Sequence, residues 1–99
     1  MRIVFHPRAV EDATRIDSWW TANRPAAPGL VHRELEAAVA AVADLPTLGA
    51  SSTAESELPG VRRVLMTRTR YHVYYRVTAD VLEVLAIWHA VRGEGPTLG

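Results

Sequence analysis

The basic residues of this sequence are the side chains best suited to chemistry, and they concentrate in its second half. All 11 of them are arginines, and 11 acidic residues bring the formal net charge to zero. Residues 1–59 hold five arginines against eight acids, a net charge of −3, and residues 60–99 hold six against three, a net charge of +3. Between Leu58 and Ala79 no carboxylate interrupts the arginines, which are Arg62, Arg63, Arg68, Arg70 and Arg76. Such a stretch attracts phosphates or an acidic protein, although solvent-facing strand residues are often charged without any such role.

Histidine and tyrosine side chains extend this set of candidates. His89 follows the last β-prone run, and a histidine there can act as general acid or base near neutral pH while arginines stabilise a pentavalent phosphate. The alternative is a strand-end histidine that only hydrogen-bonds to the backbone. Alternation along residues 71–78 places Tyr71 and Tyr75 with valines on the core face. Tyr74 falls on the opposite face, so we expect it to be the exposed tyrosine.

Two adjacent tryptophans occupy the first of the predicted helices. Their side chains point about 100° apart on a helix. Trp20 shares the apolar face with Ile16, whereas Trp19 lies off that face, so we expect Trp20 in the core and Trp19 on the surface. Exposed tryptophan is typical of interface anchors, although isolated surface aromatics are also common.

The sequence predicts no cofactor and no metal site. It has no cysteine, so it has no disulfide, no thiolate nucleophile and no Cys-ligated zinc. It also lacks a phosphate-binding glycine loop and a dinucleotide fingerprint. His32 and Glu36 could share a cation across one helical turn, but two ligands do not make a site. The longest apolar run, residues 37–43, is far shorter than the roughly 20 residues of a membrane span, so we expect no membrane partner and a cytoplasmic protein.

Hydrophobic periodicity predicts the elements that must position these side chains. A β-prone opening, two amphipathic helices, a Ser/Thr/Gly/Pro-rich loop and three β-prone runs give the order β-α-α-β-β-β. We therefore expect an α+β fold, in which a helical hairpin packs on one face of an antiparallel sheet. Residues 1–99 form a single domain in this prediction, and residues 90–99 a loosely ordered tail. The predicted helices span about residues 7–22 and 28–44, the loop residues 47–60, and the strands residues 3–5, 61–67, 71–78 and 81–88.

This order of elements, together with four short phrases, resembles the RelE/ParE family of toxins from type II toxin–antitoxin systems. The phrases are Arg70–Val77 (RYHVYYRV), Ile87–Arg92 (IWHAVR), Leu45-Pro46 with Gly49, and Leu58–Arg62 (LPGVR). No single phrase is specific, but their order along nearly the whole chain is. The resemblance implies a small bacterial growth-inhibiting toxin that a neighbouring gene's antitoxin holds inactive, with a role in plasmid stabilisation.

The resemblance leaves two targets open, because RelE-like members cut messenger RNA on the ribosome and ParE-like members poison DNA gyrase. Here Ala90 follows His89, no tyrosine follows Tyr75, and His72 stands where some nucleases carry an arginine. These departures favour a ParE-like, non-enzymatic gyrase inhibitor. The alternative is a ribosome-dependent mRNA endoribonuclease.

The predicted functional residues divide by role. An endoribonuclease would use Arg63, Arg70 and His89. The expected target-binding residues are Arg68, Arg70, Tyr74, His89 and Arg92, and the expected antitoxin-binding residues are Trp19 and Trp20.

Overall fold

A computed structural model describes residues 1–51, 58–90 and 96, and it shows two helices packed on a five-stranded sheet. The predicted order β-α-α-β-β-β is confirmed, with one additional two-residue strand in the segment expected to be a loop. None of the described helices is both long and apolar enough to cross a bilayer. The elements are β1 (Arg2–Phe5), α1 (Pro7–Asn23), α2 (Leu30–Asp44), a 3-10 turn (Pro46–Leu48), β2 (Ala50–Ser51), β3 (Arg62–Met66), β4 (Tyr71–Thr78) and β5 (Val81–His89).

The sheet has the order β1-β5-β4-β3-β2. Strands β3, β4 and β5 pair antiparallel, as predicted for the meander, and the additional strand β2 pairs antiparallel with β3. β1 runs parallel to β5 in the register Arg2↔Val81 to Phe5↔Val84, so the sheet as a whole is mixed and not purely antiparallel. A parallel pair needs a long crossover connection, and the two helices and the meander between β1 and β5 provide it. The result places β1 at one edge of the sheet and β5 in its interior.

The helices begin and end where the sequence provides local signals. Pro7 occupies the first turn of α1, and His6 caps it by accepting a hydrogen bond at Nδ1 from the N–H of Arg8 (3.1 Å). Gly29 adopts φ +72° before α2, a left-handed conformation that a side chain would strain. Pro46 ends α2, since it cannot continue the hydrogen-bonded ladder.

The main core lies between the helices and one face of the sheet. Ile16 and Val39 from the helices pack there against Val73, Tyr75 and Ile87 from the strands. Their side chains are almost fully excluded from water, which supplies the largest stabilising contribution to the fold. Trp20 packs at the border of this core, as predicted.

The opposite face of the sheet, called here the outer face, carries a second and smaller core. Val61, Tyr74, Leu85 and Ala86 are buried in it, with Leu58 and Trp88 packed beside them. In the pairing of β4 with β5, Tyr74 lies opposite Ala86 and Tyr75 lies opposite Val84, so Leu85 is an extra residue that forms a β-bulge. Because of this bulge, the successive side chains of Leu85 and Ala86 both lie on the outer face. The expectation that Tyr74 is exposed is therefore wrong: it lies on the predicted face, but only 2% of its surface is accessible.

The segment after α2 is tied to the sheet by the hydroxyl of Tyr75. This hydroxyl donates to the carbonyl of Pro46 (2.7 Å) and accepts from the N–H of Gly49 (2.9 Å). Arg62 donates from Nη1 to the carbonyl of Gly49 (2.8 Å). These bonds position β2 beside β3, and they explain why part of the predicted loop is ordered.

Candidate partner-binding surface

A pocket of about 210 Å³ opens where α1 crosses the end of β5. β1 pairs with β5 only as far as Val84, so the last residues of β5 have no strand beside them on that side. Helix α1 covers this part of the strand instead. The pocket walls are formed by Arg15, Ile16, Trp19, Tyr71, Ile87, Trp88 and His89. We call this cavity the α1–β5 pocket.

Asp12 fixes the helix to the strand below the pocket. Its carboxylate is buried and accepts hydrogen bonds from the N–H of Ile87 (3.0 Å) and from Nη2 of Arg15 (3.0 Å). Arg8 approaches it with Nε at 3.9 Å. Because a buried carboxylate is costly unless it is hydrogen-bonded, these contacts hold α1 in one position on β5. The sequence prediction did not include Asp12. Its position was a usable signal, because it lies three residues after Ala9 and four before Ile16 and so falls on the apolar face of α1.

Aromatic rings form most of the pocket. His89 and Tyr71 lie edge to face with their ring centroids 4.9 Å apart. Trp19, 49% exposed, packs edge to face against Trp20 at 5.7 Å. The structure thus places Trp19, expected to bind the antitoxin, and His89, expected to bind the target, in the same pocket. The contribution of Tyr71 was not foreseen, because alternation assigned it only to the core.

The turn between β3 and β4 presents two of the predicted target-binding arginines. Arg68 and Arg70 are exposed, and Arg70 adopts φ +68°, a conformation that costs a non-glycine residue about 1–2 kcal/mol. The N–H of Arg70 bonds to the carbonyl of Met66 (2.8 Å), and its carbonyl accepts from the N–H of Ala90 (2.8 Å). The arginine turn is therefore joined directly to the residue after His89.

Glu34 on α2 holds the same turn from the helix side. Its carboxylate accepts hydrogen bonds from the backbone N–H of Arg68 (2.9 Å) and from both the N–H (2.9 Å) and the hydroxyl (2.7 Å) of Thr69. Desolvation would raise the pKa of Glu34, but these hydrogen bonds, with the charge of Arg68, outweigh it and lower the pKa below its ordinary value. Glu34 is a second positioning residue that the sequence did not reveal.

On the outer face, His72 lies in a basic environment. Burial, followed by the charges of Arg63 and Arg70, lowers the pKa of His72 below its ordinary value. Both effects favour the neutral form of the His72 imidazole over the charged form. Arg63 is exposed on the same face of β3, two residue pairs further along the strands.

The possible cation pair on α2 is an exposed contact within one helix. Nε2 of His32 lies 2.7 Å from Oε1 of Glu36, and both side chains are about 70% exposed. Across residues 1–51 and 58–90, no three acidic, histidine or cysteine side chains gather as a metal centre would require.

Comparison with known proteins gives the family. A sequence model described as "ParE toxin of type II toxin-antitoxin system, parDE" matches residues 3–93. The chain belongs to the ParE toxin family. Among solved structures, the chromosomal ParDE toxin–antitoxin system from P. aeruginosa has a similar fold, with a TM-score of 0.62 and 23% sequence identity, covering 90% of this chain and 95% of that chain. The comparison with curated proteins finds no match. The predicted resemblance and RelE/ParE-like fold are confirmed.

In this ParE-family toxin, two of the three residues named for an endoribonuclease, Arg63 and His89, lie on opposite faces of the sheet. Arg63 pairs across strands with Tyr74 on the outer face, whereas His89 pairs with Tyr71 on the face covered by the helices. Side chains that project from opposite faces of a sheet cannot meet at one phosphate. Arg92 and most of the predicted tail lie outside the described residues.

Proposed function

We propose that this ParE-family toxin inhibits growth by binding and poisoning DNA gyrase. The observation that carries this proposal is the family match over residues 3–93, read together with the separation of Arg63 from His89 across the sheet. A protein that acts by binding needs a continuous contact surface and does not need a converging acid, base and phosphate clamp.

The proposed target-binding surface is the basic end of the sheet. Arg68 and Arg70 on the turn and His89 at the end of β5 belong to it, since the hydrogen bond from Ala90 to Arg70 joins the turn to the strand end. Arg92, which follows in sequence, is part of the same proposal. Tyr74 is not a contact residue in this proposal, because it is buried beneath the outer face. Exposed guanidinium groups at this edge favour an acidic partner surface and steer it during association.

We further propose that a cognate antitoxin neutralises the toxin in the cytoplasm by covering the helical hairpin and the open edge of the sheet. β1 is an edge strand, and Ile3 and Val4 on it are 41% and 36% exposed. A groove of about 360 Å³ between β1 and α2 is lined mainly by apolar side chains, among them Phe5, Leu35 and Val39. An added strand fits the edge, and the apolar face of a helix fits the groove.

Induction of the toxin without its antitoxin tests the target. We expect gyrase-linked DNA breaks to accumulate while ribosome-bound messages stay intact. The double variant Arg68→Ala/Arg70→Ala should lose most of this effect, and Arg33→Ala, an exposed arginine on α2, should keep it. Cut messages with undamaged DNA would contradict the gyrase proposal.

A ribosome-dependent endoribonuclease is the second candidate, and one observation favours it. Burial and the charges of Arg63 and Arg70 favour the neutral form of His72, so a potential proton acceptor on the outer face lies near two cations. Cut messages in the induction experiment that disappear in His72→Ala would support this candidate.

A further inference from the structure

The α1–β5 pocket has the size and lining to receive one side chain. An apolar cavity of about 150 Å³ holds a benzene molecule, so the 210 Å³ of this pocket accommodate a single aromatic ring. Ile16 and Ile87 provide an apolar floor and are buried, whereas Trp19 provides an exposed wall. A deep floor with an exposed aromatic wall is the arrangement in which interface anchors contribute most to binding.

The rings in the wall favour an aromatic occupant. His89 and Tyr71 already meet edge to face at 4.9 Å, and Trp19 and Trp88 border the same space. An inserted ring can therefore make edge-to-face or offset contacts on several sides, each adding about 0.5–1.5 kcal/mol beyond the burial of its area.

The surroundings of the pocket are positively charged. The guanidinium of Arg24 lies 5.8 Å from the ring centroid of Trp19, and that of Arg8 lies 5.9 Å from the centroid of Trp88. Arg15 lines the wall and is 64% exposed. The carboxylate of Asp12, next to Arg8 and Arg15, is buried and accepts hydrogen bonds from Ile87 and Arg15. A segment that enters this pocket is stabilised when acidic residues flank its anchor.

We propose that the α1–β5 pocket is the anchor site for an aromatic side chain that the antitoxin presents between acidic residues. This inference rests on the proposed function, in which an antitoxin neutralises the toxin. His89 belongs both to this pocket and to the proposed gyrase-binding surface. An antitoxin anchored here therefore excludes gyrase by direct overlap and needs no change in the fold of the toxin.

Titration of toxin variants with the antitoxin encoded beside the toxin gene tests the anchor. Trp19→Ala should raise the Kd at least tenfold, and Arg24→Gln should raise it several-fold at low salt with a smaller effect at high salt. Ser51→Ala changes an exposed side chain on β2, which lies at the opposite edge of the sheet from β1 and outside the helical hairpin, and it should change the Kd less than twofold. A Kd for Trp19→Ala within twofold of the wild-type value would overturn the anchor site.

A labelling experiment tests whether the antitoxin occupies the α1–β5 pocket while Trp19 is kept. The chain contains no cysteine, so Arg15→Cys creates a unique thiol in the pocket wall. Ser51→Cys creates a unique thiol on β2, at the opposite edge of the sheet from β1 and outside the helical hairpin. Antitoxin should slow maleimide labelling of the first variant at least tenfold and leave the second unchanged. Equal labelling rates of Arg15→Cys with and without antitoxin would overturn the inference while leaving neutralisation intact.

A competition assay tests whether the antitoxin and gyrase bind overlapping surfaces of the toxin. Gyrase captured on immobilised toxin should be released by stoichiometric antitoxin, and a stable ternary complex would overturn the overlap. Wild-type toxin that binds no antitoxin would contradict the proposed function itself, and this inference with it.

Discussion

Replacement of Tyr75 by phenylalanine removes one oxygen atom, and it should cost this fold an unusually large part of its stability. Tyr75 is fully buried, and its hydroxyl both accepts from Gly49 and donates to Pro46. The hydroxyl is thereby the link between the segment after α2 and the centre of the sheet.

The magnitude follows from the two backbone groups that lose their partner. An unsatisfied buried polar group costs about 1–3 kcal/mol. The N–H of Gly49 is buried and pays this cost, whereas the Pro46 carbonyl is only partly buried and regains a bond from water. We therefore expect Tyr75→Phe to lower the free energy of unfolding by about 1–3 kcal/mol, out of the 5–15 kcal/mol typical of a domain. The midpoint of thermal unfolding should fall by roughly 4–24 °C, since 1 kcal/mol shifts it by about 4–8 °C in a domain of this size.

Urea and thermal unfolding followed by circular dichroism measure this difference. Tyr71→Phe is the matched control, since the Tyr71 hydroxyl has no hydrogen-bond partner among the described residues, and its loss should cost less than about 0.5 kcal/mol. Equal stabilities of the two variants would refute the assignment of the Tyr75 hydroxyl as the link.

Three further predictions concern the backbone and pH. Gly49→Ala should destabilise the fold by at least about 2 kcal/mol in urea unfolding, because the added Cβ would lie 2.7 Å from the carbonyl oxygen of Arg63. Gly60 has φ +76° and open space around it, so Gly60→Ala should lower the free energy of unfolding by only about 1 kcal/mol. Because folding lowers the pKa of Glu34, its stabilising contribution is present above pH 4.5 and is lost as the pH falls through the folded pKa. Glu34→Gln should therefore flatten the dependence of the urea midpoint on pH in this range. An unchanged dependence would contradict the role of the carboxylate. Ala79 adopts φ +55°, so Ala79→Gly should raise the thermal midpoint by the equivalent of about 0.5–1 kcal/mol, and a lower midpoint would show that the turn is not strained.

The sequence predicted those features that depend on local periodicity. The angle between successive helical residues separated Trp19 from Trp20, and alternation placed Tyr75 in the main core. Alternation also placed Tyr74 on the outer face, but exposure there depends on what covers the face. Val61 and Leu85 pack with Tyr74 there, and the position of Leu85 follows from a bulge in β5 that periodicity does not encode.

The candidate site was predictable in composition but not in arrangement. The arginine turn and His89 were recognised as residue types near strand ends. Which of these residues lie together depends on strand register, which pairs Tyr71 with His89 and Arg63 with Tyr74. Register in turn depends on the geometry of the turns, which the hydrophobic pattern does not specify. Asp12 and Glu34 escaped notice because each acts on a backbone distant in sequence, at Ile87 and at Thr69.

The hydrogen bond from Ile87 to Asp12 has a consequence for self-association. Where β1 ends, β5 would expose N–H groups to any passing strand, and unpaired strand edges are templates for aggregation. Asp12 occupies the N–H of Ile87 with a charged group from the helix, so this stretch of β5 is closed to an added strand. β1 keeps its outer edge open on the same side of the sheet. On this side of the sheet, strand addition is thereby directed to β1.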